Sequence, residues 1–144
     1  MLNDIDHVAI AVNDLDAAVR FYESALGAVV VHTEEVESDG VREVLVRAGS
    51  SYVQLLSPLH ESSPVARFLA TRGEGLHHVG YRVDDCAAAL DAFRRAGARL
   101  LDETPRSGSR GTRIAFIHPK GAFGTLIELV EEAPSSERPN PGLG

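Results

Sequence analysis

The sequence predicts an α+β fold built from two tandem β-α-β-β-β modules. The first observation is an internal repeat, because residues 7–12 read HVAIAV and residues 78–83 read HVGYRV. The second is a change from period-two to helical hydrophobic spacing just after each copy. The third is a pair of similar apolar strands near the module ends, at residues 52–56 and 126–130. Together these matches predict one duplicated domain.

Length and composition bound the class of protein. At 144 residues the chain suits a single domain, predicted over residues 1–132. No apolar run approaches the roughly 20 residues that cross a bilayer, and the formal net charge of −7 disfavours nucleic-acid binding. One cysteine excludes an internal disulfide, and no basic leader precedes an apolar stretch. We therefore expect a cytoplasmic protein with no membrane or nucleic-acid partner.

The first module, about residues 4–57, begins with a strand predicted at 5–12. Asp14 is placed to cap the helix that follows, and Gly27 is placed to end it. The apolar stripe of this helix consists of Leu15, Val19, Tyr22 and Leu26. Three further strands are predicted at about 28–36, 41–47 and 51–57. The last two are joined by a tight turn centred on Ala48 and Gly49.

The second module, about residues 75–131, repeats this plan after a connector. The connector, residues 58–74, is rich in Pro, Ser and Gly around a short helix at about 64–72. The module then has a strand at 76–83, a helix at 85–96 with the stripe Cys86, Leu90 and Phe93, and strands near 99–102, 112–118 and 125–131. We expect Cys86 to pack in the core. The proline-, serine- and glycine-rich tail at 133–144 is predicted to lack order.

Strand parity indicates that four polar residues share one site. Side chains of one parity lie on one face of a strand, so His7 shares its face with small alanines and His78 repeats this with Gly80. Gln54 and Glu128 lie at matching positions of the two similar apolar strands. An unpaired carboxylate at 128 would be costly among apolar neighbours. A metal site built from both modules would explain all four residues.

Glu43 is the candidate base. With the turn centred on residues 48 and 49, paired residues would place Glu43 directly across from Gln54. Taken singly, a histidine on a strand is more often structural than a metal ligand. Because candidate ligands recur at equivalent positions of the repeat, a shared metal site is favoured over that structural interpretation. His32 and His60 are predicted to be surface residues.

Five segments carry a family resemblance: DHVAIAV at 6–12, GVRE at 40–43, GEGLHHVGYRVDD at 73–85, IHPK at 117–120 and LIEL at 126–129. Over about residues 4–131, the chain resembles the vicinal oxygen chelate superfamily and, within it, the methylmalonyl-CoA epimerase family. The resemblance implies an eight-stranded, cupped sheet around one divalent metal ion per chain. The ligands implied are His7, Gln54, His78 and Glu128, and the implied acid–base residues are Glu43 and Glu128.

The resemblance also implies the chemistry and the partners. A metal-dependent epimerase would interconvert (2R)- and (2S)-methylmalonyl-CoA by removing and returning the C2 proton through an enediolate. Inversion with fixed groups needs a carboxyl group on each face of C2, and water exclusion would raise the proton affinity of such groups. The family leans toward Co²⁺, with Mn²⁺, Ni²⁺ and Zn²⁺ as alternatives. A small-molecule CoA thioester substrate and a homodimer are expected.

Three other functions of the superfamily stay open at this point. A lactoylglutathione lyase of the glyoxalase I type would use similar logic but is expected to have glutamate at position 54. A ring-cleaving dioxygenase or a metal-free binding protein would fit the full ligand set and Glu43 less well.

The basic residues that could meet a carboxylate or CoA phosphates are Arg106, Arg110, Arg113 and Lys120. Arg82 would either line the cavity or bond across the sheet.

Overall fold

The computed structural model describes residues 2–134, so the predicted tail falls outside the described residues from residue 135 onward. The strands are β1 (Leu2–Ala11), β2 (Val30–Val36), β3 (Val41–Ala48), β4 (Ser51–Pro58), β5 (Gly75–Val83), β6 (Arg106–Ser107), β7 (Arg113–Ile117) and β8 (Ile127–Glu131). The α-helices are α1 (Leu15–Leu26), α2 (Pro64–Arg72) and α3 (Cys86–Arg95). The predicted α+β class and the repeated β-α-β-β-β order are confirmed. Within residues 2–134, no helix is long and apolar enough to span a membrane.

The eight strands hydrogen-bond in the order β2-β3-β4-β1-β5-β8-β7-β6. Contacts divide the described chain into two units. We call residues 7–77 the N-terminal unit, and residues 2–6 with 78–134 the C-terminal unit. Strands β1 and β5 each have residues in both units. The prediction of a single domain over 1–132 stays a prediction.

The N-terminal unit has an apolar cluster on each face of its strands. On one face α1 packs through Leu15, Val19 and Tyr22 against Val44, Val46 and Leu55. On the other face Val65 of α2 packs with Ala9, Ala11, Val36, Val41 and Leu56. Helix α2 therefore covers only one end of the second face, and this is the face that carries His7.

Helix α1 begins and ends where the sequence predicts. The Asp14 side chain accepts a hydrogen bond from the Ala17 backbone N–H, and Gly27 ends the helix with a left-handed backbone at φ 62°. Such a φ favours glycine because a Cβ would clash. One member of the predicted stripe is wrong, since Leu26 is 70% exposed. Helix α2, predicted at about 64–72, is confirmed with Ser63 as its N-cap.

The C-terminal unit buries α3 on one side of its strands. Cys86 and Leu90 pack with Ala115, Ile117 and Leu129, and Phe93 lies against this cluster. Cys86 is fully buried, as predicted. Burial, followed by the negative charge of Glu131, raises the pKa of the Cys86 thiol to about 11.

Two strand predictions need correction. The strand expected near 99–102 is absent from the described residues, where Leu100 forms only an isolated bridge with Ile117. The backbone N–H groups of Leu101 and Asp102 both turn to the carbonyl of Phe116, so no ladder forms, and β7 pairs with the short β6 instead. The turn between β3 and β4 is centred on residues 49 and 50, because Ala48 pairs with Ser51. Gly49 supplies the positive φ of 65° that this turn needs.

Candidate metal and acid–base site

The N-terminal unit places His7 and Gln54 on one face of adjacent strands. In the parallel β1–β4 ladder, Ala9 is the partner of Gln54, and His7 has the same parity as Ala9. The His7 side chain is 2% exposed and that of Gln54 is 7% exposed. Both are thus held on rigid strands, which position side chains more exactly than loops do.

Glu43 is a neighbour of Gln54, although not its ladder partner as the sequence predicted. In the observed register Glu43 pairs with Leu56, and Gln54 pairs with Leu45. The diagonal still brings the two side chains together on the same face, and the Gln54 Nε2–H group donates a hydrogen bond to Oε2 of Glu43. Glu43 is 1% exposed. The predicted contact is therefore present through a different pairing.

The hydrogen bond to Glu43 also orients the Gln54 amide. A carboxylate only accepts hydrogen bonds, so the amide must turn its NH₂ group toward Glu43 and its oxygen away. The Gln54 Oε1 atom is buried and has no hydrogen-bond partner among the described residues. A buried acceptor in that state is costly. An oxygen-binding cation would satisfy it, so this half of the donor set fits a metal ion.

The C-terminal unit contains His78 and Glu128 in direct contact. The His78 Nε2 atom lies 2.8 Å from Oε2 of Glu128, and both side chains are buried. The Phe116 ring meets His78 edge to face at a centroid distance of 5.4 Å. Two ligands that bind one ion at right angles with bonds of roughly 2.1 Å stand about 3 Å apart. The observed separation is therefore suited to two adjacent metal ligands.

We call His7 and Gln54 the N-terminal half-site, and His78 and Glu128 the C-terminal half-site. The two half-sites are equivalent in strand register. Gly80, two residues after His78, is the β8 partner of Glu128, just as Ala9 is the β4 partner of Gln54. The third strand of each ladder also matches, because Phe116 pairs with Glu128 where Leu45 pairs with Gln54. This correspondence gives Glu43 a counterpart in the second unit. The counterpart is Ile114, which pairs with Val130 and is buried.

Sequence reasoning missed the environment of His32. Its Nε2 atom lies 2.9 Å from Oε1 of Glu34, and the imidazole is 23% exposed rather than a plain surface group. Glu34 is the β2 partner of Glu43. A correct register of β2 and β3 would have placed His32 and Glu34 near Glu43. That register depends on the length of the 3₁₀ turn at Glu37–Asp39 between the two strands. His60 is exposed, as predicted.

Sequence reasoning also missed Asp6. This carboxylate is fully buried and accepts hydrogen bonds from Arg82 through Oδ1, at 3.0 and 3.2 Å, and from Arg110 through Oδ2 at 2.7 Å. Arg82 also pairs with Asp4 and Glu132. Burial alone would lower the pKa of Arg82, but these acceptors outweigh it and raise the pKa. The open question about Arg82 is thus resolved, within the C-terminal unit, in favour of ion pairing.

Two other basic candidates, Arg106 and Arg113, also have partners within the C-terminal unit. The Arg106 guanidinium donates to Asp102 at 3.1 Å and lies over the Phe116 ring at 5.5 Å. Arg113 lies 4.0 Å from Glu131, and Lys120 is exposed. Arg106, Arg110 and Arg113 thus each have an acidic partner, and a role of the basic candidates in substrate binding stays a prediction.

Comparison with known proteins agrees with this architecture. Residues 6–116 match the Glyoxalase/Bleomycin resistance protein/Dioxygenase superfamily. The chain is 40% identical to an ethylmalonyl-CoA/methylmalonyl-CoA epimerase of Cereibacter sphaeroides, over 90% of this chain and 98% of that protein. A crystal structure of methylmalonyl-CoA epimerase from Mycobacterium tuberculosis superposes with a TM-score of 0.90 at 45% identity, covering 94% of this chain and 91% of the other.

A further neighbour is a methylmalonyl-CoA epimerase in complex with methylmalonyl-CoA and NH4⁺, with a TM-score of 0.91 and 45% identity over 96% of this chain and all of that one. The fold and the matched half-sites define a member of the glyoxalase superfamily. Within that superfamily the chain belongs to the methylmalonyl-CoA epimerase family of enzymes.

Proposed function

We propose that this enzyme interconverts (2R)- and (2S)-methylmalonyl-CoA by moving the proton at C2. The observation that carries the proposal is the buried Glu43 carboxylate, held by Gln54 beside a half-site of metal-ligand type. The relatives named as methylmalonyl-CoA epimerases, and the neighbour solved with methylmalonyl-CoA, support this choice of substrate. A proton between a thioester and a carboxylate is weakly acidic, and its removal leaves an enediolate.

We propose further that the two half-sites hold one divalent metal ion through His7, Gln54, His78 and Glu128. The buried, unsatisfied Oε1 of Gln54 and the short contact between His78 and Glu128 support this assignment. Such an ion would act as a Lewis acid that stabilises the negative charge of the enediolate. Two neutral imidazoles, a neutral amide and a single carboxylate add little charge of their own, and this donor set leaves the ion electrophilic.

The protein side chains would manage the proton. Glu43 would take the C2 proton of one epimer, and Glu128 would serve the opposite face, the two exchanging the roles of acid and base with the direction of reaction. The Gln54 N–H group would hold one oxygen of Glu43 and so direct the carboxylate. Because Glu43 and Gln54 lie on neighbouring strands, this geometry would be in place before substrate arrives.

The test is proton NMR of one methylmalonyl-CoA epimer in D₂O, with the protein stripped of metal and then reloaded with Co²⁺. A control without protein is required, because the C2 proton exchanges spontaneously. We expect metal-dependent deuterium entry at C2 together with conversion to the other epimer. If the reloaded protein exchanges the proton no faster than buffer does, the proposal is wrong, and glutathione hemithioacetals become the next substrates to test.

Three narrower expectations accompany this proposal. We expect Co²⁺ as the preferred ion ahead of Mn²⁺, Ni²⁺ and Zn²⁺, a homodimer, and a cytoplasmic location. Metal reconstitution followed by activity assay tests the first, sedimentation tests the second and cell fractionation tests the third.

A further inference from the structure

Three acid–base side chains meet at the outer side of the N-terminal half-site. We call His32, Glu34 and Glu43 the His32 triad. One ligand-type atom from each lies within 4.8 Å of the other two. Two geometric facts produce this cluster: Glu34 is the ladder partner of Glu43, and His32 has the same parity as Glu34 and lies 2.9 Å from it.

Exposure to solvent increases across the triad. Glu43 is 1% exposed, whereas the side chains of His32 and Glu34 are 23% and 35% exposed. The triad therefore connects a carboxylate that water scarcely reaches with two titratable groups that water does reach. Strand β2, which carries His32 and Glu34, pairs with β3, and β3 pairs with β4, so these two residues lie one strand beyond Glu43 as seen from Gln54.

A two-base epimerase needs such a connection. After one turnover the group that removed the proton is protonated and the group that delivered one is not, so the enzyme is ready only for the reverse reaction. Both groups must exchange protons with solvent before the next forward turnover. For a carboxyl group as deeply buried as Glu43, direct exchange with bulk water is hindered.

We propose that His32 and Glu34 carry the proton between Glu43 and solvent, an inference that rests on the proposed function. The Glu43 carboxyl O–H bond breaks and its proton passes to a bridging water, which the separation of up to 4.8 Å admits, while that water gives one of its own protons to the Glu34 carboxylate. Glu34 then passes that proton to the lone pair of Nε2 of His32, and the resulting imidazolium releases its other ring proton to water. No oxidant or further reactant is needed. His32 and Glu34 act through Glu43 and are positioning residues, not catalytic ones.

The variants His32→Gln and Glu34→Gln test this route, with Glu35→Gln as the matched control. Glu35 is the next residue on β2, with a half-exposed side chain paired to Arg42, and it lies on the opposite face from Glu34. We expect kcat to fall about tenfold in either triad variant, because proton exchange becomes slow. We expect kcat/KM to stay within about twofold, because at low substrate the free enzyme has time to reset. The control should leave both constants unchanged.

Isotope partitioning provides a readout that a merely structural defect would not move. In D₂O the wild-type enzyme should place deuterium in recovered substrate as well as in product, because the proton on Glu43 exchanges before it returns. The triad variants should return the original proton, so label in recovered substrate falls relative to product. This fall should occur with only one of the two epimers, the one whose proton Glu43 removes.

The outcomes are separable. If the wild-type enzyme neither epimerises nor exchanges the C2 proton, the proposed function fails and the relay with it. If the wild type is active but both triad variants keep the wild-type kcat and the wild-type label partition, only the relay fails. Loss of one metal equivalent per chain in His32→Gln, measured by elemental analysis, would show that the triad binds a cation and would overturn the relay as well.

Discussion

The two half-sites differ in where each keeps its carboxylate. Both present a histidine, and two residues later a small residue that pairs with the second proposed ligand. In the N-terminal unit that second proposed ligand is the neutral Gln54, and the carboxylate lies one strand further out, at Glu43. In the C-terminal unit the carboxylate is the proposed ligand Glu128, and the position equivalent to Glu43 is Ile114. The two half-sites thus share one strand scaffold but differ in whether the carboxylate is the proposed metal ligand or the proposed base.

The two units also differ at one end of the strand face that carries these residues. In the N-terminal unit Val65 of α2 fills that end with apolar contacts to Ala11 and Leu56. In the C-terminal unit Arg82 occupies the position equivalent to Ala11, and it pairs with the buried Asp6. Each half-site is supported, but one by apolar packing and the other by buried charge. This difference, like the first, can be tested by substitution.

The largest effect is expected for Glu43→Gln, which removes the carboxylate and keeps its shape. We expect kcat for epimerisation to fall about 1,000-fold, or roughly 4 kcal/mol, since general acid–base groups contribute 10²–10⁴. Gln54 can still donate its hydrogen bond to the new amide oxygen, so the fold should be unchanged. The counterpart substitution Ile114→Val is the control and should lower kcat by less than about threefold. Equal losses in the two variants would mean that the asymmetry between the half-sites has no catalytic meaning.

The second prediction compares the supports of the two half-sites. Asp6→Asn leaves Arg82 and Arg110 without their buried counter-charge, and we expect the free energy of unfolding to fall by about 3 kcal/mol. Val65→Ala leaves a cavity in the other unit and should cost about 2 kcal/mol. Urea titrations of both variants measure these losses. A smaller loss for Asp6→Asn than for Val65→Ala would indicate that the ion network contributes little beyond its own desolvation.

A third prediction concerns Cys86, the first residue of α3, whose counterpart in α1 is the apolar Leu15. Burial raises the pKa of Cys86 to about 11, from a reference of 9.0. At pH 8 this lowers the thiolate fraction about 100-fold, so a thiol reagent should react with the native protein at least about 100-fold more slowly than with the unfolded chain.

The same pKa has a consequence for stability. Because the folded pKa is raised, the thiol favours the folded state at pH values below about 9, and this contribution is lost as pH rises toward 11. Cys86→Ala should remove that part of the pH dependence of the urea midpoint. A variant whose midpoint falls as steeply as that of the wild type between pH 9 and 11 would assign the loss to other groups.

The part of the candidate site that could be predicted from the sequence depends on the alternation of side chains along a strand. Period-two parity placed His7 and Gln54 on one face, and it placed His78 and Glu128 correspondingly. The turn between β3 and β4 lies one residue later than predicted, which moves every ladder partner by two residues. A shift of two preserves the face. For that reason Glu43 contacts Gln54 as predicted, although the predicted register of β3 and β4 is wrong.

What could not be predicted depends on distant parts of the chain. Burial of Asp6 requires Arg82 and Arg110, which are far away in sequence. The position of His32 beside Glu43 requires the register across the 3₁₀ turn that separates β2 from β3. Residues 99–102 have a strand-like sequence, but β7 forms its ladder with β6 instead of with them. Local pattern identifies elements and faces, whereas tertiary contacts decide these three outcomes.

The smallest effect is expected for Gln54→Glu, which gives both half-sites a carboxylate ligand. We expect the metal to be retained, because a carboxylate binds divalent ions at least as well as an amide does. We expect kcat to fall about tenfold, or roughly 1.4 kcal/mol, for two reasons. The ion becomes a weaker Lewis acid, and Glu43 loses its N–H donor and meets a like charge instead.

The double variant Gln54→Glu with Glu128→Gln tests whether the charge on the metal alone accounts for the loss. It restores a single carboxylate among the four ligands but leaves that carboxylate against Glu43. If the total charge on the metal alone mattered, kcat would recover to that of the wild type. We expect no recovery, because the C-terminal half-site then has no carboxylate for the opposite face of C2, and both carboxyl groups lie in one half. Steady-state rates and metal content of the two variants, measured side by side, decide whether it is the number of carboxylates or their division between the half-sites that the reaction requires.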